Sequence, residues 1–148
     1  MIKKYIFSFI ILLVLSGCGY KPIYSTKDLN FSIGNIERDN SLLNNKFIKV
    51  INSLKNEGSD NKINIKISSD KEVNIKSKDK KGNALIFELK IILNVVNLEN
   101  DNQTQKFERN INYKNLTDKF KLKQYENELE KILINKLVED LITYLASI

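Results

Sequence analysis

Leu85-Ile86-Phe87-Glu88-Leu89-Lys90-Ile91-Ile92-Leu93-Asn94-Val95 decides the fold. Every odd-numbered residue in it is a large apolar one, while the even-numbered set mixes Ile86 and Ile92 with Glu88, Lys90 and Asn94. Successive side chains of a strand point to opposite faces. This pattern predicts a strand with one face on a core and the other partly open, as in an antiparallel sheet covered on one side.

Working backwards, the polar stretch Lys78-Asp79-Lys80-Lys81-Gly82-Asn83 reads as a turn, and Ile63, Ile65 and Ile67 alternate before it. Val73 and Ile75 continue the same odd-numbered face beyond the polar Ser68-Ser69-Asp70-Lys71. The region is either one kinked or bulged strand or two strands joined by a tight turn, and the parity of Ser69 and Lys71 favours a single strand over 62–76. Further back, Leu43, Phe47, Val50 and Leu54 recur at helical spacing. Asp39-Asn40-Ser41 offers caps and Gly58 a stop, so a helix is expected over roughly 41–56. Phe31, Ile33 and Ile36 suggest a short strand bulged at Gly34.

Working forwards, Glu99-Asn100-Asp101-Asn102 reads as a turn into a return strand carrying Phe107, Ile111 and Tyr113. A helix from about Leu122 to Leu145 follows, with Tyr125, Leu129, Ile132, Leu133, Leu137, Leu141 and Leu145 as its expected buried stripe. The acids near its start suit the helix dipole. The order β-α-β-β-β-α predicts an α+β domain over 31–148, a mixed sheet of about four strands with two helices on one face. The first strand-helix-strand unit is expected as a right-handed parallel crossover.

The chain begins differently. Lys3 and Lys4 precede an apolar run from Tyr5 to Leu15, and Leu15-Ser16-Gly17-Cys18 comes next. That is the layout of a secretory signal with a small-residue cleavage site. At ~1.5 Å per residue the run spans about 16 Å, half of a ~30 Å hydrocarbon core, which is short for an uncleaved anchor. The expected signal peptide is 1–17, cut between Gly17 and Cys18. Its removal takes two lysines and no acid, lowering the net charge from +6 to +4. Residues 18–30, which hold the one proline, read as an extended tether, whose first residue, Cys18, is the lipidated N-terminus that the lipobox resemblance of Leu15-Ser16-Gly17-Cys18 implies. At ~3.3–3.6 Å per residue that tether holds the domain within roughly 40 Å of the membrane.

The remaining composition excludes much. There is no histidine and no cysteine besides Cys18, which removes histidine catalysis, Cys/His metal sites and disulfides. The chain is therefore expected not to be an enzyme, with a lipid-anchored hydrolase using Glu126, Glu128 and Glu130 as the weakest reading. Of the 24 basic residues only Arg38 and Arg109 are arginines, and the lysines are interspersed with acids. That argues against a nucleic-acid partner. The densest basic run, Lys76, Lys78, Lys80 and Lys81, is the candidate anion-binding set, although a solvated hairpin tip would carry such a run too.

Leu15-Ser16-Gly17-Cys18 resembles the bacterial lipobox. Cys18-Gly19-Tyr20-Lys21-Pro22-Ile23-Tyr24, the element order, the Gly82-Asn83-Ala84-Leu85 turn and the helix around Glu126-Asn127-Glu128 together resemble the LPS-assembly lipoprotein LptE family. The resemblance implies S-diacylglyceryl and N-acyl groups on Cys18 and no other cofactor. Gly19 in place of Asp implies sorting to the outer membrane by the enterobacterial rule. It further implies residence at the periplasmic face as plug and partner of the β-barrel LptD, with lipopolysaccharide bound during transport. The alternative is a structural or interaction lipoprotein serving another envelope complex.

Overall fold

The computed structural model describes residues 31–54, 61–99 and 104–148. Its elements are β1 (Ser32–Arg38), α1 (Leu42–Ser53), β2 (Lys62–Lys78), β3 (Ala84–Asn97), β4 (Thr104–Lys114) and α2 (Lys119–Leu145). The sheet order is β1-β2-β3-β4. β1 runs parallel to β2 through the α1 crossover, and the two later pairs are antiparallel hairpins. This is the expected β-α-β-β-β-α architecture.

One parity rule places the layers. Ile63, Ile65, Ile67, Leu89, Ile91, Leu93 and Val95 are all buried. Both helices reach that odd-numbered face. Ser69 meets Asn44 of α1, and Lys71, Tyr113 and Arg109 meet Glu130, Glu126 and Asp140 of α2. The even-numbered face has no helix on it among the described residues.

β2 is a single strand, running two residues past the expected end. Its polar interruption stays in the sheet because the polar residues on the apolar face have polar partners above them. The Ser69 hydroxyl donates to Asn44 Oδ1 at 2.5 Å, and Lys71 Nζ binds Glu130 Oε2 at 2.6 Å. The expected bulge of β1 is present, since the register to β2 slips between Ile33 and Ile36. A Cβ on Gly34 would come within 2.6 Å of Asn64 Oδ1, the atom that accepts the Asn35 N–H at 2.7 Å. Glycine leaves room for that bond.

The helices differ from expectation in extent and rotation. Ser41 caps α1 by accepting the Asn44 N–H, but the helix ends at Ser53, and Gly58 lies outside the described residues. Its buried row is Asn44, Phe47 and Ile51, with Leu43, Val50 and Leu54 flanking. α2 starts at Lys119 rather than Leu122, because Asp118 caps it by accepting the N–H groups of Phe120 and Lys121. Ile134, Val138 and Ile142 join the buried set, whereas Tyr125 and Ile132 are exposed. A helix seated between a sheet and a neighbouring helix buries a broader arc than one seated on a sheet alone. At ~1.5 Å per residue its 27 residues reach about 40 Å.

Leu93 lies at the centre of this core and is fully buried. Replacing it by alanine deletes packed methyl groups and leaves a cavity, so Leu93→Ala should cost about 3 kcal/mol, read as a lower urea midpoint at unchanged slope.

Candidate functional site

The helix cover of β2 ends at Glu130. This carboxylate is 4% exposed, yet it stays charged because Lys46 of α1 binds one oxygen and Lys71 of β2 the other. Burial alone pushes the carboxyl up, but the hydrogen bonds and charges of the two lysines outweigh it and hold the group below the ordinary carboxylate value. Glu130 stands twelfth in α2, with no acid in the first turn. It therefore clamps two helices and a strand, and does not offset the helix dipole. Glu126 accepts the Tyr113 hydroxyl at 2.7 Å, and burial, reinforced by that bond, pushes the hydroxyl well above its usual range. Two of the three carboxylates suggested as a catalytic run are thus committed to different partners.

Past Glu130, β2 and β3 continue as an arm with its odd-numbered face open. Val73, Ile75 and Leu85 are 46, 50 and 49% exposed, where the alternation alone predicts core. The reason is geometric. α1 reaches β2 near Ser69, and the first turns of α2 lie over Tyr113 of β4. Neither helix covers the far end of β2. Phe87 stacks on Tyr113 at 5.6 Å and Tyr125 meets Tyr113 edge-on at 6.1 Å, forming an aromatic shelf where the arm leaves the core. Phe120, 72% exposed, belongs to the same end of the molecule, as does Asn115, which bonds the Leu85 and Ala84 carbonyls.

The arm ends in a pinned turn. Asp79 Oδ1 accepts the N–H groups of Lys81 and Asn83, both at 2.8 Å, and Oδ2 accepts Asn83 Nδ2 at 2.9 Å. Gly82 takes φ +86°, a region that disfavours side-chain-bearing residues. The bonds from Asn83 and the loop N–H groups hold the Asp79 carboxyl below its ordinary value. Lys78, Lys80 and Lys81 sit on this frame without an ion pair among the described residues. Lys76, fourth in the expected set, does not join them. It binds Glu88 on the even-numbered face at 3.0 Å.

That face is a self-neutralised ladder. Lys90 reaches Glu108 at 3.2 Å and Glu72 at 4.0 Å, Lys106 reaches Glu108 at 3.0 Å, and Asn110 bonds Glu88 at 3.0 Å. The Lys76 bond lowers the Glu88 carboxyl, the lysines 106 and 90 lower Glu108, and Glu108 raises Lys90. Between the helices lies a groove of about 580 Å³, lined by Val50, Ile134, Lys46, Lys49 and Lys131 with two asparagines. Cys18 and the cleavage site at Gly17 lie outside the described residues.

No protein-family model and no curated protein matches the sequence. Solved structures share the fold. Rare lipoprotein B from Shewanella oneidensis superposes with a TM-score of 0.56 at 11% identity, over 76% of this chain and 96% of that one. A minor lipoprotein from Acinetobacter baumannii gives 0.55 at 10% identity, over 76% and 89%. Lipoprotein B from Nitrosomonas europaea gives 0.54 at 15% identity, over 87% and 91%.

The Glu130 clamp has a defined pH signature. A carboxyl held below its ordinary value contributes stability above the unfolded-state pKa and loses it as pH falls through the folded-state value. Glu130→Gln should therefore cost on the order of 3 kcal/mol at neutral pH, since it leaves Lys71 without its partner. The gap to the parent chain, followed by urea titration, should narrow steadily on acidification below the ordinary carboxylate range.

Proposed function

We propose that this chain is an LptE-like outer-membrane lipoprotein, anchored through Cys18, that partners the LptD barrel and binds lipopolysaccharide during its transport. The observation that carries the proposal is the arm. It sets uncovered aliphatic side chains, Val73, Ile75 and Leu85, beside a rigid turn bearing Lys78, Lys80 and Lys81. An anionic glycolipid presents the complementary pair, acyl chains and phosphates. Lysine binds phosphate as a point charge, and the aliphatic surface removes hydrocarbon from water.

Support comes from three independent directions. The lipobox-like start supplies an address and an anchor. The fold shared with bacterial lipoproteins is consistent with that address. The lack of histidine, and the commitment of Glu126 and Glu130 to structural partners, favours a binding role over catalysis. Two or more acyl chains hold stably where one is marginal, so the anchor needs no help from surface lysines.

The arm makes a prediction that separates its lysines. Changing Lys78, Lys80 and Lys81 together to glutamate should weaken lipopolysaccharide binding by roughly tenfold or more, measured by titration. Lys76→Glu alone should change it far less, because Lys76 is already neutralised by Glu88. Equal binding by the triple variant would remove the turn from the proposal.

The anchor and the partner are checked in cells. Cys18→Ala should release the protein from the membrane fraction, and the parent chain recovered from membranes should bring a large β-barrel with it. Recovery without a barrel would point to another envelope complex.

A further inference from the structure

β1 pairs with β2 only as far as Arg38 opposite Ile67. From Ser68 to Lys78, β2 has β3 on one side and, among the described residues, no strand on the other. The backbone polarity of this free edge is set by two bonds. Asn64 O accepts the Leu98 N–H, so even-numbered residues of β2 turn their backbone groups toward β3. Asn61 O accepts the Ser32 N–H, so odd-numbered residues turn theirs toward the β1 side. The N–H and C=O of Lys71, Val73 and Ile75 therefore point outward, and every residue from Asp70 to Lys76 is exposed.

Free edges invite pairing, and charge ordinarily blunts them. Here the charges are ordered, with Asp70 and Glu72 before Asn74 and Lys76 and Lys78 after it. We infer that this edge is an isologous interface, on which a second copy of the chain pairs antiparallel about a two-fold axis through Asn74. In that register Val73 stands opposite Ile75 of the second copy, both with outward backbone groups, so each such pair exchanges two hydrogen bonds. Glu72, which is 4.0 Å from Lys90 of its own chain, stands opposite Lys76 of the second copy, so that each Lys76 would lie between its own Glu88 and the other copy's Glu72, and symmetry repeats the pair. Their side chains share the even-numbered face, where Lys76 already reaches Glu88 across the bulge between Ile75 and Ser77. On the other face the pairing covers Val73 and Ile75.

Competing registers fit worse. An axis through Val73 pairs Asp70 with Lys76 but sets Lys71 against Ile75 and leaves Glu72 opposite Asn74. One through Ile75 pairs Glu72 with Lys78 but sets Val73 against Ser77 and Lys76 against Asn74. An axis through Glu72 opposes two like charges directly, which is destabilising. Of these the Asn74 axis alone pairs the two apolar residues with each other and both Asp70 and Glu72 with lysines, and it joins two four-stranded sheets into one of eight. Its formation needs neither lipid nor barrel, but it covers Val73 and Ile75, so the paired state and the proposed lipopolysaccharide-bound state exclude each other on this arm.

The test uses full-length chain in membranes. Asn74→Cys places the two thiols opposite each other across the axis in a close, non-hydrogen-bonded pair. Oxidation should yield a disulfide dimer well above the background set by the parent chain, whose sole cysteine is Cys18. Val73→Cys should give little. Adding Glu72→Lys to Asn74→Cys should cut the dimer roughly tenfold or more, and adding Lys76→Glu as well should restore it. These sites are exposed, and unchanged thermal unfolding of each variant would show that the fold is intact. A dimer yield at background for Asn74→Cys, a higher yield for Val73→Cys, or indifference to the charge swap would each overturn the interface.

Discussion

A buried carboxylate obliges the surrounding chain to supply positive charge, and at Glu130 that obligation ties three elements together. Its two oxygens take lysines from two other elements, Lys46 on α1 and Lys71 on β2. Beside it, Asn44 takes the Ser69 hydroxyl and Asp39 takes the Asn44 amide. A continuous polar seam thus runs between three elements that hydrophobic contact alone would let slide. Apolar packing is tolerant of register, whereas a buried charge is not. The seam therefore fixes how far along β2 the helices sit.

Where the helices sit determines what is left uncovered. β2 spans 17 residues, about 56 Å at ~3.3 Å each, which is longer than the cover two helices provide from that position. At the β4 side α2 is anchored at both ends, by Tyr113 with Glu126 and by the two bonds of Arg109 to Asp140 at 2.8 and 2.7 Å. With α2 tied along β4 and α1 stopped at Ser69, the far end of the β2–β3 hairpin projects with aliphatic side chains on one face. An extended arm is a consequence of strand length against helix placement.

Alternation in a sequence reports which face a residue is on, and it does so well here. The odd-numbered row of β3 was legible in the chain, as was the bulge at Gly34, whereas parity favoured a single course for β2 without deciding between one strand and two. Whether a face is covered is a different question, settled by distant helices. That is why Val73, Ile75 and Leu85 read as core and are exposed. Helical spacing likewise identified α1 and α2 but misjudged their rotation, because the row of α1 that meets the sheet is Asn44, Phe47 and Ile51, and α2 buries Ile134, Val138 and Ile142 beyond the expected stripe. Glu130 was hidden by its neighbours, since an acidic run near a helix start suggests dipole compensation. Its partners lie 84 and 59 residues away, beyond any local signal. The turn lysines were visible as a run, but their division into three unpaired and one neutralised depends on Glu88 across the hairpin.

That division bears on how the molecule can meet an anionic partner. On the even-numbered face Lys90 and Lys106 both bind Glu108, with Glu72 4.0 Å from Lys90, and a phosphate approaching these two lysines would have to displace a carboxylate from each. At the turn no such exchange is needed, because Asp79, the only acid in that loop, has both oxygens occupied by the Lys81 and Asn83 groups that shape it. The turn spends its carboxylate on backbone geometry and leaves its lysines to solvent. Two basic regions of similar composition thus differ in availability, and the difference comes from where the acids are placed. Reading charge density along the chain without the pairing across the sheet would rank them alike.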